Sequence, residues 1–194
     1  MLATEFPGCR TLIDAIDSAV ILDSAPAITD RLRNSLRSLI RDDAVRLPDC
    51  VFETAARHYA RRELYRSDEH GYCVVAMTWG PDQGTPIHDH SGMWCVEGVW
   101  DGTLEVTQYQ RLADDGDGYC RFRPADTVQA GPGSAGSLIP PHEYHAIRNA
   151  SDHAIAVSLH VYAGHMTRCT VFQPLPGGHA YRQQERQLEL DPVR

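Results

Sequence analysis

The chain has 194 residues, 26 acidic side chains against 18 basic ones and a formal charge of -8, and every one of the 18 is arginine. The absence of lysine excludes Schiff-base chemistry, pyridoxal-phosphate attachment and the phosphate-loop lysine. A net negative chain without a dense arginine cluster is repelled by nucleic acid and anionic lipid, and no apolar stretch approaches the roughly 18 residues that span a bilayer. The length and a hydrophobic content of 42% suit one domain, residues 1–194, with an ordinary core. Six cysteines (Cys9, Cys50, Cys73, Cys95, Cys120, Cys169) are scattered singly, with no CxxC pair and no basic-then-apolar leader. These features predict a reducing, cytoplasmic setting.

Leu12, Ile16 and Val20 stand four apart, and Leu32, Leu36, Leu39 and Ile40 follow a 3.6-residue period behind Thr29 as candidate N-cap. Two amphipathic helices are predicted there. Val51–Tyr65 reads as a third, ending in Arg57, Arg61, Arg62 and Arg66, so that residues 1–68 form a helical cap. From about residue 72 the texture changes. Tyr72–Trp79, Met93–Trp100, Leu104–Gln110, Arg121–Arg123, Ser137–Ile139 and Ile155–Tyr162 are short runs separated by Gly, Pro and Asp turns. Helices followed by many short strands predict a mainly β closed sheet, sandwich or jelly roll over 69–175. Residues 176–194 are expected to wrap the surface. Trp94, Trp100 and Tyr109 are expected to pack the barrel or its rim.

His88 and His90 share a face if the segment Pro86-Ile87-His88-Asp89-His90 is extended, so both imidazoles can meet one ion. Alone this is weak, because ten histidines in this length give about half of one such pair by chance. A second cluster, Pro140 to Asn149, carries His142 and His145 and opens another strand, which brings a third imidazole within reach.

The spacing resembles the two motifs of the cupin superfamily. The first is His88-x-His90 with Gly102 twelve residues on; the second is Pro140, His145 and Asn149. The leading glycines of the two motifs would fall at Asp82 and Ser134. At the place where most cupins carry a glutamate ligand stands Cys95, a pattern similar to the thiol dioxygenases and to cysteine dioxygenase in particular. Ser158-Leu159-His160-Val161-Tyr162 resembles that family's Ser-x-His-x-Tyr strand, with Cys169 seven residues later. Trp79-Gly80 precedes the histidine pair, and Tyr59-Ala60-Arg61 resembles the Tyr-x-Arg at the substrate carboxylate.

The resemblance implies a cupin barrel (a double-stranded β-helix, jelly-roll-like) under a helical cap, with Fe(II) on His88, His90 and His145. Three neutral imidazoles leave coordination positions for a thiolate and dioxygen, with no reductant required. It implies oxidation of L-cysteine by O2 to the sulfinic acid, Arg61 and Tyr59 holding the substrate and Tyr162, His160, Ser158 and Cys95 serving catalysis. Period-two alternation puts Ser158, His160 and Tyr162 on one strand face. Cys95 and Tyr162 correspond to the pair joined by a thioether in the animal enzymes. Several alternatives stay open. His142 rivals His145, the arginine register can slip to Arg62, and a bulge can bring Glu97 to the metal. 3-Mercaptopropionate or another thiol carboxylate rivals cysteine, although relatives specialised for it carry Gln where Arg61 stands. A cupin isomerase and a non-catalytic metal-binding sensor are the other classes. The partners expected are a small thiol and O2 only, in a monomer or weak homo-oligomer.

Overall fold

The structure is a computed structural model that describes residues 3–116, 118–177 and 180–194, with no side-chain description for 113–116. Two helices come first, α1 (Cys9–Val20) and α2 (Ala25–Arg41). Their buried residues, Leu12, Ile13 and Ile16 on α1 and Leu32, Leu36 and Leu39 on α2, follow the helical period. The N-cap of α2 is Ser24, whose hydroxyl accepts from Ala27 N at 3.4 Å. Thr29, the expected cap, lies one turn inside the helix and donates back to Pro26 O. Pro26 at the start of the helix explains the earlier boundary, since proline is tolerated only in the first turn.

Where the arginine-rich stretch predicts a third helix over Val51–Tyr65, the chain makes a 3-10 turn, Asp49–Phe52, and then strand β1 (Ala60–Arg66). Pairing with β2 (Cys73–Trp79) overrides the weak helical pattern. The strands that follow are β3 (Ile87–His88), β4 (Cys95–Asp101), β5 (Leu104–Gly116), β6 (Tyr119–Ala130), β7 (Ala135–Leu138), β8 (His145–Asn149), β9 (Ala156–Tyr162), β10 (Arg168–Pro174) and β11 (Tyr181–Gln187). Here too the expectation changes: the segment expected to wrap the surface supplies β11, which pairs with β10 and β6.

One sheet has the order β1-β2-β9-β4-β7; the other closes on itself as β10-β11-β6-β5-β8-β3. All the strand pairs are antiparallel. This is the mainly β cupin architecture, with the helices laid on the first sheet. Val74 and Ala76 of β2, Val96 of β4 and Val157, Leu159 and Val161 of β9 join Leu12, Ile16, Leu32 and Leu36 in one core. The alternate residues Val75, Met77, Trp79, Cys95, Val99 and Tyr162 join Ile147 and Val171 of the closed sheet in a second core between the sheets. Trp94 and Trp100 pack against the helical core and Tyr109 against Phe122, as strand aromatics do.

Backbone geometry explains two motif positions. Gly102 has φ 70, and a Cβ there would sit 2.4 Å from Ile155 O. Asp82, where a motif glycine is expected, adopts φ 61, a left-handed conformation that aspartate tolerates better than most residues. Among the described residues no helix is long and apolar enough to cross a membrane.

Because α2 packs on β4, with Leu36 fully buried beside Gly98, Leu36→Ala is expected to destabilise the fold by about 2–5 kcal/mol. Chemical denaturation measures the loss, and metal content per folded chain should not change.

Candidate functional site

The short strand β3 ends in a turn that the sequence itself ties down. Asp89 Oδ1 accepts from Ser91 N at 3.1 Å and Thr170 N at 2.8 Å, and Asp89 N donates to Thr170 O at 3.0 Å. Asp89 is therefore turned towards β10 while His88 and His90 turn the other way. His145, the first residue of β8, pairs with His88 across the ladder. Nitrogen atoms of His88, His90 and His145 all lie within 4.8 Å of one another. Ring centroids are 4.5 Å apart for His88 and His145 and 5.1 Å for the other two pairs. His142 is exposed and lines a surface hollow with Arg111 and Tyr144, away from this cluster.

Burial makes the cluster unusual. His90 and His145 are each 1% exposed, and Nδ1 of His90 and both ring nitrogens of His145 lack a hydrogen-bond partner. Buried polar atoms are rarely left without one. His88 Nδ1 is 3.1 Å from Pro86 O, so it donates there and leaves Nε2 as the basic nitrogen. Loss of hydration, with repulsion from neighbouring imidazoles, holds His90 and His145 well below the usual histidine range; burial also lowers His88. Three neutral imidazoles with free lone pairs fit a transition-metal ion.

Strand β9 passes over this cluster. Its outward residues are in the helical core, so Ser158, His160 and Tyr162 face inward. Trp79 Nε1 donates to Ser158 Oγ at 2.9 Å, and Ser158 Oγ is 2.8 Å from His160 Nε2. His160 and Tyr162 are stacked, with centroids 5.9 Å apart and planes at 15°. The Ser–His part of the expected relay is thus hydrogen-bonded, and its His–Tyr part is a ring contact. Cys95 lies opposite Tyr162 in the ladder, and its Sγ is 4.0 Å from Nδ1 of His160. Burial keeps the Cys95 thiol and the Tyr162 phenol protonated, each well above its usual range. Glu97 lies opposite His160, and the bulge in β4 falls further on, between Val99 and Asp101. Glu97 is not among the clustered ligand atoms.

The opposite wall comes from β1 and from the C-terminal segment. Arg61 is 4% exposed. It donates to Glu189 O at 3.2 Å and Met166 O at 3.3 Å, which leaves part of its five-donor fork uncommitted. Its main chain is clamped by Asp191, through Oδ2 at 2.9 Å and N at 2.7 Å. Arg62 points the other way, to Thr78 Oγ1 and Glu53 O. Tyr59 stacks on Trp79 with centroids 4.5 Å apart. One pocket is lined by Tyr59, Arg61, His88, His90, His145, His160 and Tyr162. Its free space is about 20 Å³, little more than a water needs. Met166 and Arg186 of β11 also line it, and Arg186 does not stand out in the sequence because β11 carries no apolar alternation.

Asn149 fixes the frame. Its Nδ2 is within 3.1 Å of the carbonyls of Trp79, Gly80 and Ala154, and its Oδ1 accepts from Ser151 N. It locks the end of β8 to the end of β2.

The model of the family described as cysteine dioxygenase type I matches residues 54–174, more than half of the chain. The chain belongs to that family. It is therefore a cupin of the thiol dioxygenase type carrying a three-histidine site that can hold a metal. Among solved structures it is similar to the TT1209 protein from Thermus thermophilus, at 19% identity over 61% of this chain and 96% of that one, TM-score 0.46. A conserved protein with a double-stranded β-helix domain from Klebsiella pneumoniae has 16% identity over 61% and 83%, TM-score 0.46. An oxalate oxidase bound to glycolate has 15% over 61% and 59%, TM-score 0.45.

The lowered histidines set the acid stability of the metal-free protein. A folded-state pKa held below the unfolded 6.5 means that the unfolded chain binds protons first, so stability falls as pH drops below about 6.5. Glu97, raised to about 7, opposes this between 7 and its unfolded 4.5, but it is one group against His88, His90, His145 and His160. Thermal denaturation is expected to show a falling Tm from pH 6.5 to 5. Bound zinc should raise Tm most at neutral pH, because protons compete with it.

Proposed function

We propose that this enzyme oxidises a small thiol carboxylate, with L-cysteine first, to its sulfinic acid, using both atoms of O2 and ferrous iron held by His88, His90 and His145. The observation that carries this reading is the set of partnerless buried imidazole nitrogens facing a pocket that also holds the Arg61 guanidinium. Iron, when bound, would supply a redox-active centre through which the thiolate sulfur, the group oxidised, passes electrons to dioxygen; redox-inactive zinc on the same nitrogens would not. The ligand type alone does not choose between the two metals.

The residues of the chain do the rest. Arg61 takes the substrate carboxylate on its uncommitted donors, the planar guanidinium matching the two carboxylate oxygens. Tyr59, braced on Trp79, shapes the wall beside it. The pocket is too small for a bulky ligand, and its lining of Met77, Trp79, Ile147 and Val171 limits bulk water. Tyr162, protonated at neutral pH, donates its hydroxyl hydrogen towards the reacting sulfur and oxygen atoms. Ser158, itself held by Trp79, sets His160, and His160 holds the phenol ring by its face. Cys95 opposite Tyr162 is placed for a thioether, in which its sulfur would bond the phenol ring and the two hydrogens lost, one from the thiol and one from the ring, would pass to the co-substrate O2. The six free, buried cysteines suit a reducing cytoplasm.

One observation favours the rival substrate. No acidic side chain lines the pocket among the described residues, whereas Arg61 and Arg186 both do. A thiol acid without an ammonium group, such as 3-mercaptopropionate, meets no unpaired charge there, and L-cysteine does.

The decisive experiment is anaerobic loading with Fe(II), then oxygen uptake with L-cysteine, 3-mercaptopropionate, cysteamine and mercaptosuccinate, with sulfinate identified by mass spectrometry. Turnover of a carboxylate-bearing thiol and little with cysteamine is expected; no uptake with any thiol overturns the reading. Arg61→Gln should cost about 2 kcal/mol or more, roughly thirtyfold in kcat/KM and chiefly in KM. After turnover, intact mass should show a fraction lighter by two hydrogens, absent in Cys95→Ala.

A further inference from the structure

Glu97 takes no part in the arrangement above, yet it stands against it. It shares the inward face of β4 with Cys95 and lies opposite His160, with Oε2 3.6 Å from Nδ1 of that ring. This is an ion-pair distance and slightly longer than a hydrogen bond. Oε2 is buried and has no other polar partner.

The rest of the carboxyl looks away from the metal cluster, into a second cavity of about 210 Å³ lined by Glu97, Gln108, Gln129, Ser137 and Ser158 among others. Among the described residues Glu97 is the only ionisable one in that lining. Its side chain keeps 13% of its exposure, whereas His160 keeps 4%. The wall between the two cavities is therefore made of Ser158, His160 and Glu97, with Glu97 on the side of the second cavity.

Donor accounting gives the wall a direction. Trp79 Nε1 can only donate, and it donates to Ser158 Oγ. The hydroxyl hydrogen of Ser158 can then go to Nε2 of His160, 2.8 Å away, which leaves Nδ1 as N–H. Two groups face it, Cys95 Sγ at 4.0 Å and Glu97 Oε2 at 3.6 Å, and an ionised Glu97 is the stronger acceptor because sulfur accepts weakly. The ionisable groups around Glu97 are Cys95 on its own strand and His160 and Tyr162 on β9. Strand β7 brings Gly136 opposite it, and the lining from β5 and β6 brings only neutral residues.

We propose that Glu97 is a positioning residue for the reaction: it accepts Nδ1–H of His160, ends the chain Trp79, Ser158, His160, Glu97, and so holds the imidazole in one tautomer against the Tyr162 ring. The kinetic part rests on the thiol dioxygenase reading. Burial raises Glu97 to about 7, so the acceptor is present above that pH and lost below it. Turnover should rise through this range.

The test compares wild type with the near-isosteric Glu97→Gln by two readouts. In the Fe(II) enzyme, Glu97→Gln is expected to lower kcat about tenfold at pH 8, with KM and iron content little changed, and to abolish the rise near pH 7. In the zinc-loaded protein, 15N spectra of the imidazoles should show the His160 nitrogens shifting in Glu97→Gln while those of His88 are unmoved. An unchanged pH profile together with unchanged His160 signals overturns the proposal. So does a parallel fall of kcat, metal content and Tm, which marks a purely structural role. Wild type inactive with every thiol, but with His160 shifted in Glu97→Gln, refutes the thiol reading and leaves the hold on His160 supported.

Discussion

The structure depends most on the two-sided burial of β9. Every residue from Ala156 to Tyr162 is buried, but the two faces meet different surroundings. Val157, Leu159 and Val161 are sealed under α1 and α2, and burial of such side chains is worth roughly 1.5–3 kcal/mol each. That apolar face fixes the register of the strand, because a slip by one residue would put Ser158, His160 and Tyr162 under the helices. The polar face of the site is thus held by the apolar face behind it. The helical cap is remote from the chemistry and still decides which way the chemistry points.

The same logic applies at each other element that carries a site residue. β3 is only two residues long, so it cannot orient His88 and His90 by pairing alone; the Asp89 carboxylate, anchored on β10, does so instead. Arg61 sits on an edge strand and would be mobile there. The carbonyls of Met166 and Glu189 and the Asp191 clamp restrain it, so the C-terminal segment acts as scaffold for the Arg61 end of the pocket. Asn149 joins the two sheets at a third point. Few of these contacts touch the reacting atoms, and each reduces the freedom of one that does.

Much of this is written in the sequence, and its limits are physical. Strands buried on both faces read as continuous β-branched runs, so β2 and β9 are legible, as is the His-x-His pair because extended backbone has period two. The motif spacing favours His145 over His142, and burial separates them in the fold. β1 and β11 are not legible. Both are rich in arginine or glutamine, their burial is decided by pairing partners far along the chain, and a local pattern does not contain that information. The N-cap of α2 is ambiguous for a simpler reason, since Thr29 and Ser24 are both good caps and only Pro26 chooses between them. Arg186 and the restraint on Arg61 follow β11 out of sight.

Two spaces lined by the described residues stand on either side of Ser158 and His160, and their difference says where chemistry belongs. The larger, about 210 Å³, has a lining that is mostly aliphatic or small and one ionisable group; the smaller, about 20 Å³, gathers four imidazoles, two phenols and two guanidinia. Volume alone would favour the first. A reaction that moves charge between a thiol and dioxygen needs fixed dipoles close to the reacting atoms and little water among them, which only the second supplies. Crowding four histidines there is tolerable because burial keeps them neutral, and neutrality is the state in which three of them can bind a metal and the fourth can be oriented by Ser158. The cost of that desolvation falls on folding and not on metal binding, so the fold itself gathers the three imidazoles for an ion.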